Sequence, residues 1–141
     1  MTLLPYRGER PLVSWRAGNL RLPEGAPKEG ESIDAAVVRI GLEQAGISEQ
    51  TATHLGHFRC RATSLSKTHA PGTITYQALY AVDVVALADF PADETCERRI
   101  IRQPDLNELL RTIYVEMRRE YTDALDAWLL QRLKALHGTA G

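Results

Sequence analysis

The longest alternation of apolar and polar positions runs over residues 73–87 and predicts a strand. Its two alternating sets begin Ile74, Tyr76, Ala78 and Thr75, Gln77, Leu79. Shorter apolar segments bounded by turn residues predict further strands at 12–15, 20–22, 53–62 and 98–102. Several strands separated by helical patterns favour a mixed α/β (α+β) domain.

A helix is predicted from Ile33 to about Gln44. Ser32 precedes it and is a suitable N-cap, because its hydroxyl can accept from a free amide of the first turn. Gly46 follows it, at a position where helices commonly end in a left-handed residue.

The C-terminal third predicts a long helical segment over 105–137. Asp105 is the expected N-cap, and Glu108 completes a capping-box pattern. Apolar residues recur at spacings of three and four, among them Leu106, Leu109, Leu110, Ile113, Met117, Tyr121, Leu125, Trp128, Leu129 and Leu133. About 30 helical residues would extend nearly 45 Å, which is too long for one face of a small domain. The segment therefore either breaks near residues 121–123 or packs its far half on something else.

Composition narrows the class of protein. The chain has 141 residues, a length typical of one domain, with 17 Lys and Arg against 18 Asp and Glu. This balance argues against a dedicated nucleic-acid or membrane-surface binder, which needs clustered positive charge. No apolar stretch approaches the roughly 20 residues that span a bilayer, and no signal peptide is evident. Cys60 and Cys96 follow no metal-ligand spacing, so a cytoplasmic protein with reduced thiols is expected.

One ungapped pattern of 23 residues carries candidate chemistry. Gly25 is followed after five residues by Glu31, and after seven more by Arg39. Residues 39–47 then run Arg-Ile-Gly-Leu-Glu-Gln-Ala-Gly-Ile. A glycine-containing loop lets backbone amides approach phosphate oxygens. Glu43, on the helix that follows, is an acidic residue of the kind that binds magnesium.

This pattern resembles the Nudix box, of which six of nine defined positions match. The resemblance implies one domain over 1–141, folded as an α/β/α sandwich with a mixed central sheet and a long C-terminal helix. The N-terminal part is shorter than usual in the family, so the first strand is expected to be missing or displaced. The implied activity is Mg²⁺- or Mn²⁺-dependent hydrolysis of a nucleoside diphosphate linked to another moiety.

The same resemblance implies the site residues. The catalytic set is Arg39, Glu43 and Gln44, the substrate-binding set is Gly25 and Lys28, and the metal set is Glu31 and Glu43. The family's helix carboxylates would fall at positions 40, 43 and 44, where this chain has Ile40, Glu43 and Gln44. The loss of two charges should weaken metal binding and the stabilisation of transition-state charge. Gly41, at a position that is normally aliphatic, costs the helix roughly 1 kcal/mol relative to Ala.

Each of these residues also has a structural interpretation. Glu43 can be a solvated partner of Arg39, Glu31 can support the loop, and Lys28 can be solvated. Trp15 and Tyr76 can stack on a nucleobase or pack on the sheet.

Several polar residues outside the box also have a functional and a structural interpretation. His54 and His57 are expected on opposite faces of their strand, which disfavours a shared metal. Asp83 needs a partner if it faces inward. One of the acids of the late loop could replace a lost metal ligand, and these are Asp89, Asp93, Glu94 and Glu97.

Two functions follow, a weak or inactive Nudix-type hydrolase and a non-catalytic module that binds a nucleotide-like ligand or a partner protein. The apolar face of the far C-terminal helix also predicts a homodimer with Trp128 as its anchor.

Overall fold

The computed structural model describes residues 1–65, 69–90, 96–112 and 118–138. In chain order the elements are β1 (Thr2–Arg7), β2 (Arg10–Arg16), β3 (Asn19–Arg21), α1 (Ile33–Ala45), β4 (Ile47–Arg61), β5 (Ile74–Leu87), β6 (Cys96–Ile100), α2 (Gln103–Thr112) and α3 (Arg118–Gly138). No helix in this described part combines the length and the apolar character that crossing a bilayer requires.

The strands form one mixed sheet in the order β3-β2-β1-β5-β4, with β6 added along β2. β1 pairs parallel to β5, and the other pairings are antiparallel. One apolar cluster joins the sheet to α1 and includes Leu3, Val37 and Ile40. A second joins the opposite face to α2 and α3 and includes Leu4 and Leu110. The predicted mixed sheet between helices is therefore confirmed.

The expectation of a missing or displaced first strand was wrong. β1 lies inside the sheet, between β2 and β5, and residues 2–6 are buried. Leu3 packs on one face while Leu4 and Tyr6 pack on the other, so the segment has no polar alternation. Pro5 lies in its middle, and a proline counts against a central strand because it cannot donate to the ladder.

α1 has the boundaries and caps that the sequence predicts. The Ser32 hydroxyl accepts from the Ala35 amide at 3.1 Å. Gly46 ends the helix at φ 66°, and its amide donates to the Leu42 carbonyl at 3.0 Å. The strands at 12–15, 20–22, 53–62 and 73–87 are also present, with β4 starting earlier than predicted, directly after Gly46.

The start of α2 corrects the predicted cap. The helix begins at Gln103, and the Leu106 amide donates to the Arg102 carbonyl, so Arg102 is the N-cap. Asp105 lies in the first turn, where its carboxylate accepts from the Arg102 amide at 3.3 Å. It fills the acidic position of a capping box instead of the cap itself. Glu108 forms an ion pair with Arg111.

α2 and α3 are not parts of one straight helix. The Tyr6 hydroxyl donates to Gln103 at 2.7 Å, and the Trp128 ring lies 5.5 Å from the Tyr6 ring. In a continuous helix those two partners would be about 37 Å apart. α3 therefore folds back onto the same sheet face as α2. The break expected near residues 121–123 was placed wrongly, because those residues lie inside α3.

An ion pair holds α3 to the sheet. Arg132 binds both carboxylate oxygens of Asp83 on β5, with Nη2–Oδ1 at 2.7 Å and Nε–Oδ2 at 3.1 Å. The same guanidinium lies over the Trp128 ring at 5.5 Å. Asp83 thus has the partner that its position in an apolar strand requires.

Because α3 folds back onto the sheet, it covers much of the apolar surface from which the homodimer is predicted. Leu125 is buried, and Trp128 and Leu129 pack against the core of their own chain. Leu130 and Leu133 remain exposed, and the Leu136 side chain lies outside the described residues. The homodimer stays a prediction. Trp128 is no longer its expected anchor, because the ring packs within its own chain.

Trp128→Ala should destabilise the monomer fold. Loss of a half-buried ring that packs on Tyr6 should lower the free energy of unfolding by about 2 kcal/mol in urea denaturation. Leu130→Ala on the same helix is the control, and its exposed side chain should change that energy by less than about 0.5 kcal/mol. Light scattering on both variants should give the wild-type mass. A halved mass with unchanged unfolding energy in Trp128→Ala would show instead that the ring anchors a dimer.

Candidate functional site

The loop before α1 is held by backbone pairing to β1. The Leu3 amide donates to the Pro23 carbonyl at 2.8 Å, and the Gly25 amide donates to the Met1 carbonyl at 3.0 Å. The buried central strand therefore positions the loop that carries the box pattern.

Arg39 is the centre of the loop–helix contact. Its guanidinium binds the Glu31 carboxylate through two nitrogens, with Nε–Oε2 at 2.9 Å and Nη2–Oε1 at 3.0 Å. It also donates to the Ala26 carbonyl at 2.8 Å and to Glu43 Oε2 at 3.2 Å. One cation thus ties the loop to two carboxylates of the predicted site.

The ion pair between Arg39 and Glu31 shifts the pKa values of both side chains. Hydrogen bonds from Arg39 and from the Lys28 amide hold the pKa of Glu31 below its ordinary value, while Glu31 raises the pKa of Arg39. At neutral pH the Glu31 carboxylate is ionised and both of its oxygens accept hydrogen bonds, as expected for a residue that supports the loop. Lys28 closes a turn with Glu31 through backbone contacts at 3.0 Å, and Lys28 itself is exposed.

Gln44 binds the loop backbone through both ends of its amide. Its carbonyl oxygen accepts from the Glu24 amide at 3.0 Å, and its nitrogen donates to the Glu24 carbonyl. A glutamate here would keep the acceptor and lose the donor. Gln44, which the resemblance places in the catalytic set, thus makes a structural contact.

Ile40 occupies the core. It is fully buried in the cluster between α1 and the sheet. Gly25 approaches it so closely that a Cβ on Gly25 would lie 3.2 Å from Ile40 Cδ1. The glycine predicted to approach phosphate therefore also packs closely on this side chain.

These contacts leave Glu43 as the carboxylate available at the helix positions that the resemblance implies. Its side chain is 54% exposed. Within the described residues no group of three or more His, Cys, Asp or Glu side chains is placed to hold a metal ion. The described residues therefore do not fit a magnesium cage.

Two of the four late-loop acids lie within the described residues. Asp89 is exposed, Glu97 lies in β6 and pairs with Arg99, and Asp93 and Glu94 lie outside the described residues.

Sequence patterns gave no indication of Arg98, which closes the other end of α1. Its Nη1 donates to the Ala45 carbonyl at 3.2 Å and to the Ala88 carbonyl at 2.9 Å. A cation at a helix C-terminus is favoured by the free carbonyls and the helix dipole. The contact joins β6, α1 and the end of β5.

The predicted aromatic stacking residues are separated. Trp15 is half-buried on β2 beneath the Arg99 guanidinium, at 5.1 Å. Tyr76 on β5 is 70% exposed.

The prediction that His54 and His57 face opposite ways was wrong. A register shift between His54 and Gly56 marks a bulge in β4, which inserts an extra residue and breaks the simple alternation. The two rings stack with centroids 5.8 Å apart and planes inclined by 17°.

Comparison with solved structures identifies the fold. A Nudix hydrolase from Nitrosomonas europaea matches with a TM-score of 0.63 and 20% identity, covering 86% of each chain. The Nudix domain of Shewanella oneidensis NrtR, solved with ADP-ribose, matches at 0.61 and 14%, covering 88% of this chain and 85% of that one. A C. elegans Ap4A hydrolase complex matches at 0.60 and 15%, covering 89% and 96%. No family model and no curated protein matches by sequence. The chain has the Nudix fold.

The Arg39–Glu31 ion pair should make the stability of the protein depend on pH in the acidic range. Because the folded pKa of Glu31 lies below its ordinary 4.5, its contribution is present above that pH and is lost as pH falls through the folded value. Glu31→Gln should lower the melting temperature at pH 7, and the gap to wild type should close well below pH 4.5. Glu29→Gln, in the same loop at an exposed position, should melt like wild type. A gap that stays constant to pH 3 would contradict this role.

Proposed function

We propose that this chain is a divergent Nudix-type hydrolase that binds a nucleoside diphosphate linked to another moiety and hydrolyses it weakly. The observation that carries the proposal is the intact Arg39 network. It holds the loop against α1 at the preserved box spacing. The loop and the start of α1 still form a surface for ligand binding. At two of the positions where metal ligands are expected, the side chains make structural contacts instead.

Binding would rest on the loop and the start of α1. A helix N-terminus presents free amides and a positive dipole, which favour phosphate oxygens. Lys28 is exposed in that loop and would add a cation. Two of the structural neighbours are an Ap4A hydrolase and a domain bound to ADP-ribose, and both of these compounds contain adenosine and phosphate groups. We therefore propose a nucleotide derivative as ligand.

We expect slow turnover because the described residues do not bring together the several carboxylates that hold Mg²⁺. Mg²⁺ prefers several hard oxygen ligands, and Glu43 offers one carboxylate that already pairs with Arg39. Little charge is left to stabilise the transition state.

A non-catalytic nucleotide-binding or partner-binding module is the second candidate. It is favoured by the way Ile40 and Gln44 are used, because both side chains now stabilise the loop–helix contact. A cytoplasmic location also stays a prediction.

The metal site is tested by calorimetry with Mg²⁺. We expect wild-type protein to bind more weakly than micromolar, since one exposed carboxylate is a poor cage. Gln44→Glu should tighten binding roughly tenfold, or about 1.4 kcal/mol, by adding a second charge. Ile40→Glu should instead unfold the domain, because it places a charge in the core.

The control for this experiment is Glu43→Ala, which should abolish the gain made by Gln44→Glu. Micromolar Mg²⁺ binding by wild type that is lost in Glu43→Ala would contradict our account of the site.

An activity panel tests the hydrolase itself. Nucleoside diphosphate sugars and dinucleoside polyphosphates are incubated with Mg²⁺ or Mn²⁺, and phosphate-containing products are quantified. We expect slow turnover of at least one compound, with a further loss of at least about tenfold in Arg39→Ala, a change that removes both carboxylate contacts. Binding of a compound without any turnover would favour the non-catalytic module, and absence of both would reject a nucleotide site.

A further inference from the structure

β4 is the outermost strand at one end of the sheet, and its outer side is uncovered. It pairs with β5 along one side, and no other strand of the described residues pairs with its second side. Residues 51–54 are all exposed, although alternate residues of a strand point to opposite faces. Grooves of about 670 and 490 Å³ lie between this part of β4 and the helices α1 and α3. The outer backbone groups of β4 are therefore accessible to another strand.

The sequence of β4 has few of the features by which proteins protect such an edge. Edge strands are commonly short, or they carry proline or lysine, which disfavour pairing with a second chain. β4 has 15 residues and contains neither proline nor lysine. Its irregular positions leave two regular segments, 50–54 and 56–61, each long enough to pair. The edge therefore has the character of an interface.

The bulge in β4 favours a second copy of this strand as the partner. Leu55 is one residue more than β5 has, because His54 pairs with Tyr80 and Gly56 pairs with Leu79. A regular strand along the whole outer side would meet the same mismatch of one residue. A second β4, related by a two-fold axis between Leu55 and Gly56, avoids it, because each chain supplies the same extra residue.

This two-fold register also keeps the two faces of the sheet continuous. Four residues of β4 lie opposite alternating positions of β5 that share one face, and these are Ala52, His54, His57 and Arg59. Their β5 partners include Val82 and Tyr80, which pack with α1, so this is the α1 face. An antiparallel copy of β4 brings Ala52 opposite the partner's Arg59, and both residues lie on that face.

Arg59 and Asp34 give this register complementary charge. Asp34 lines the groove towards α1 together with Ala52, and both are exposed. The small Ala52 side chain leaves room for the partner's Arg59 to reach the Asp34 carboxylate. Within the part of the chain that the structure describes, neither Asp34 nor Arg59 has an ion pair. The two-fold axis makes the contact twice, and exposed charge pairs of this kind fix register more than they add affinity.

We infer that two copies of this chain pair antiparallel along β4 and form a dimer with one continuous sheet. Backbone hydrogen bonds between the two β4 strands would supply affinity, and the two Arg59–Asp34 contacts would select the register. Asp34 belongs to the first turn of α1, so the dimer would also bring a cation next to the proposed phosphate site. Trp128 takes no part in this interface.

Light scattering and amide hydrogen exchange test the strand pairing on the wild-type protein. At pH 8, where imidazole rings are uncharged, the mass at about 200 µM should be twice the chain mass of 15.7 kDa. Outward amides of residues 50–61 should exchange at least about tenfold more slowly at about 200 µM than at about 2 µM. Amides of β3, at the other end of the sheet, should exchange equally at both concentrations.

Charge reversal with rescue tests the register. Arg59→Glu should raise the dimer dissociation constant at least about tenfold, because it puts two like charges together across the interface. Asp34→Lys should do the same, and the two changes combined in one chain should recover most of the loss. Arg21→Glu is the matched control, since it makes the same change at an exposed position of β3, and it should leave the mass unchanged. Circular dichroism of each variant should match that of wild type.

Three results would overturn the inference. The first is a mass of 15.7 kDa for wild type at about 200 µM. The second is a dimer that Arg59→Glu weakens no more than Arg21→Glu does, which would move the interface elsewhere. The third is a concentration-dependent slowing of exchange that spares β4. No measurement here uses a nucleotide, so the outcome stays valid if the hydrolase proposal fails.

Discussion

The burial of β1 on both faces is the constraint on which the rest of the structure depends. This strand pairs with β2 on one side and with β5 on the other, so its backbone needs a cover above and below. α1 provides one cover, and α2 with α3 provides the other. Tyr6 shows how tightly the second cover is fixed, because it contacts both helices, and burial raises its pKa to about 12. The ring stays neutral and serves packing.

The same strand decides the geometry of the box loop. Backbone bonds from β1 hold Pro23 and Gly25, and the loop then closes on α1 through Arg39 and Gln44. The residues at the expected metal positions have therefore acquired structural partners. Ile40 fits beneath Gly25, and this fit relies on the absence of a Cβ there. Ile40 and Gln44 thus make different contacts, since Ile40 packs in the core and Gln44 binds the loop backbone.

α1 has two flanks with different chemistry. One carries the Arg39 ion pairs, and its polar atoms are satisfied by the loop. The other carries Gly41, beside which the Gln50 amide is buried without a hydrogen-bond partner among the described residues. The first flank explains how the loop is held in place.

The sequence by itself determined features set by neighbouring residues. The caps of α1 at Ser32 and Gly46 and the extent of β5 depend on residues a few positions apart, so local patterns were sufficient to predict them. Only the tertiary structure decided which distant segments meet. The burial of β1, the return of α3 to Tyr6 and the bulge that aligns His54 with His57 depend on pairing partners far away in the chain. Local propensity contains no information about such partners, because the energy that selects them comes from burial and register in the assembled sheet.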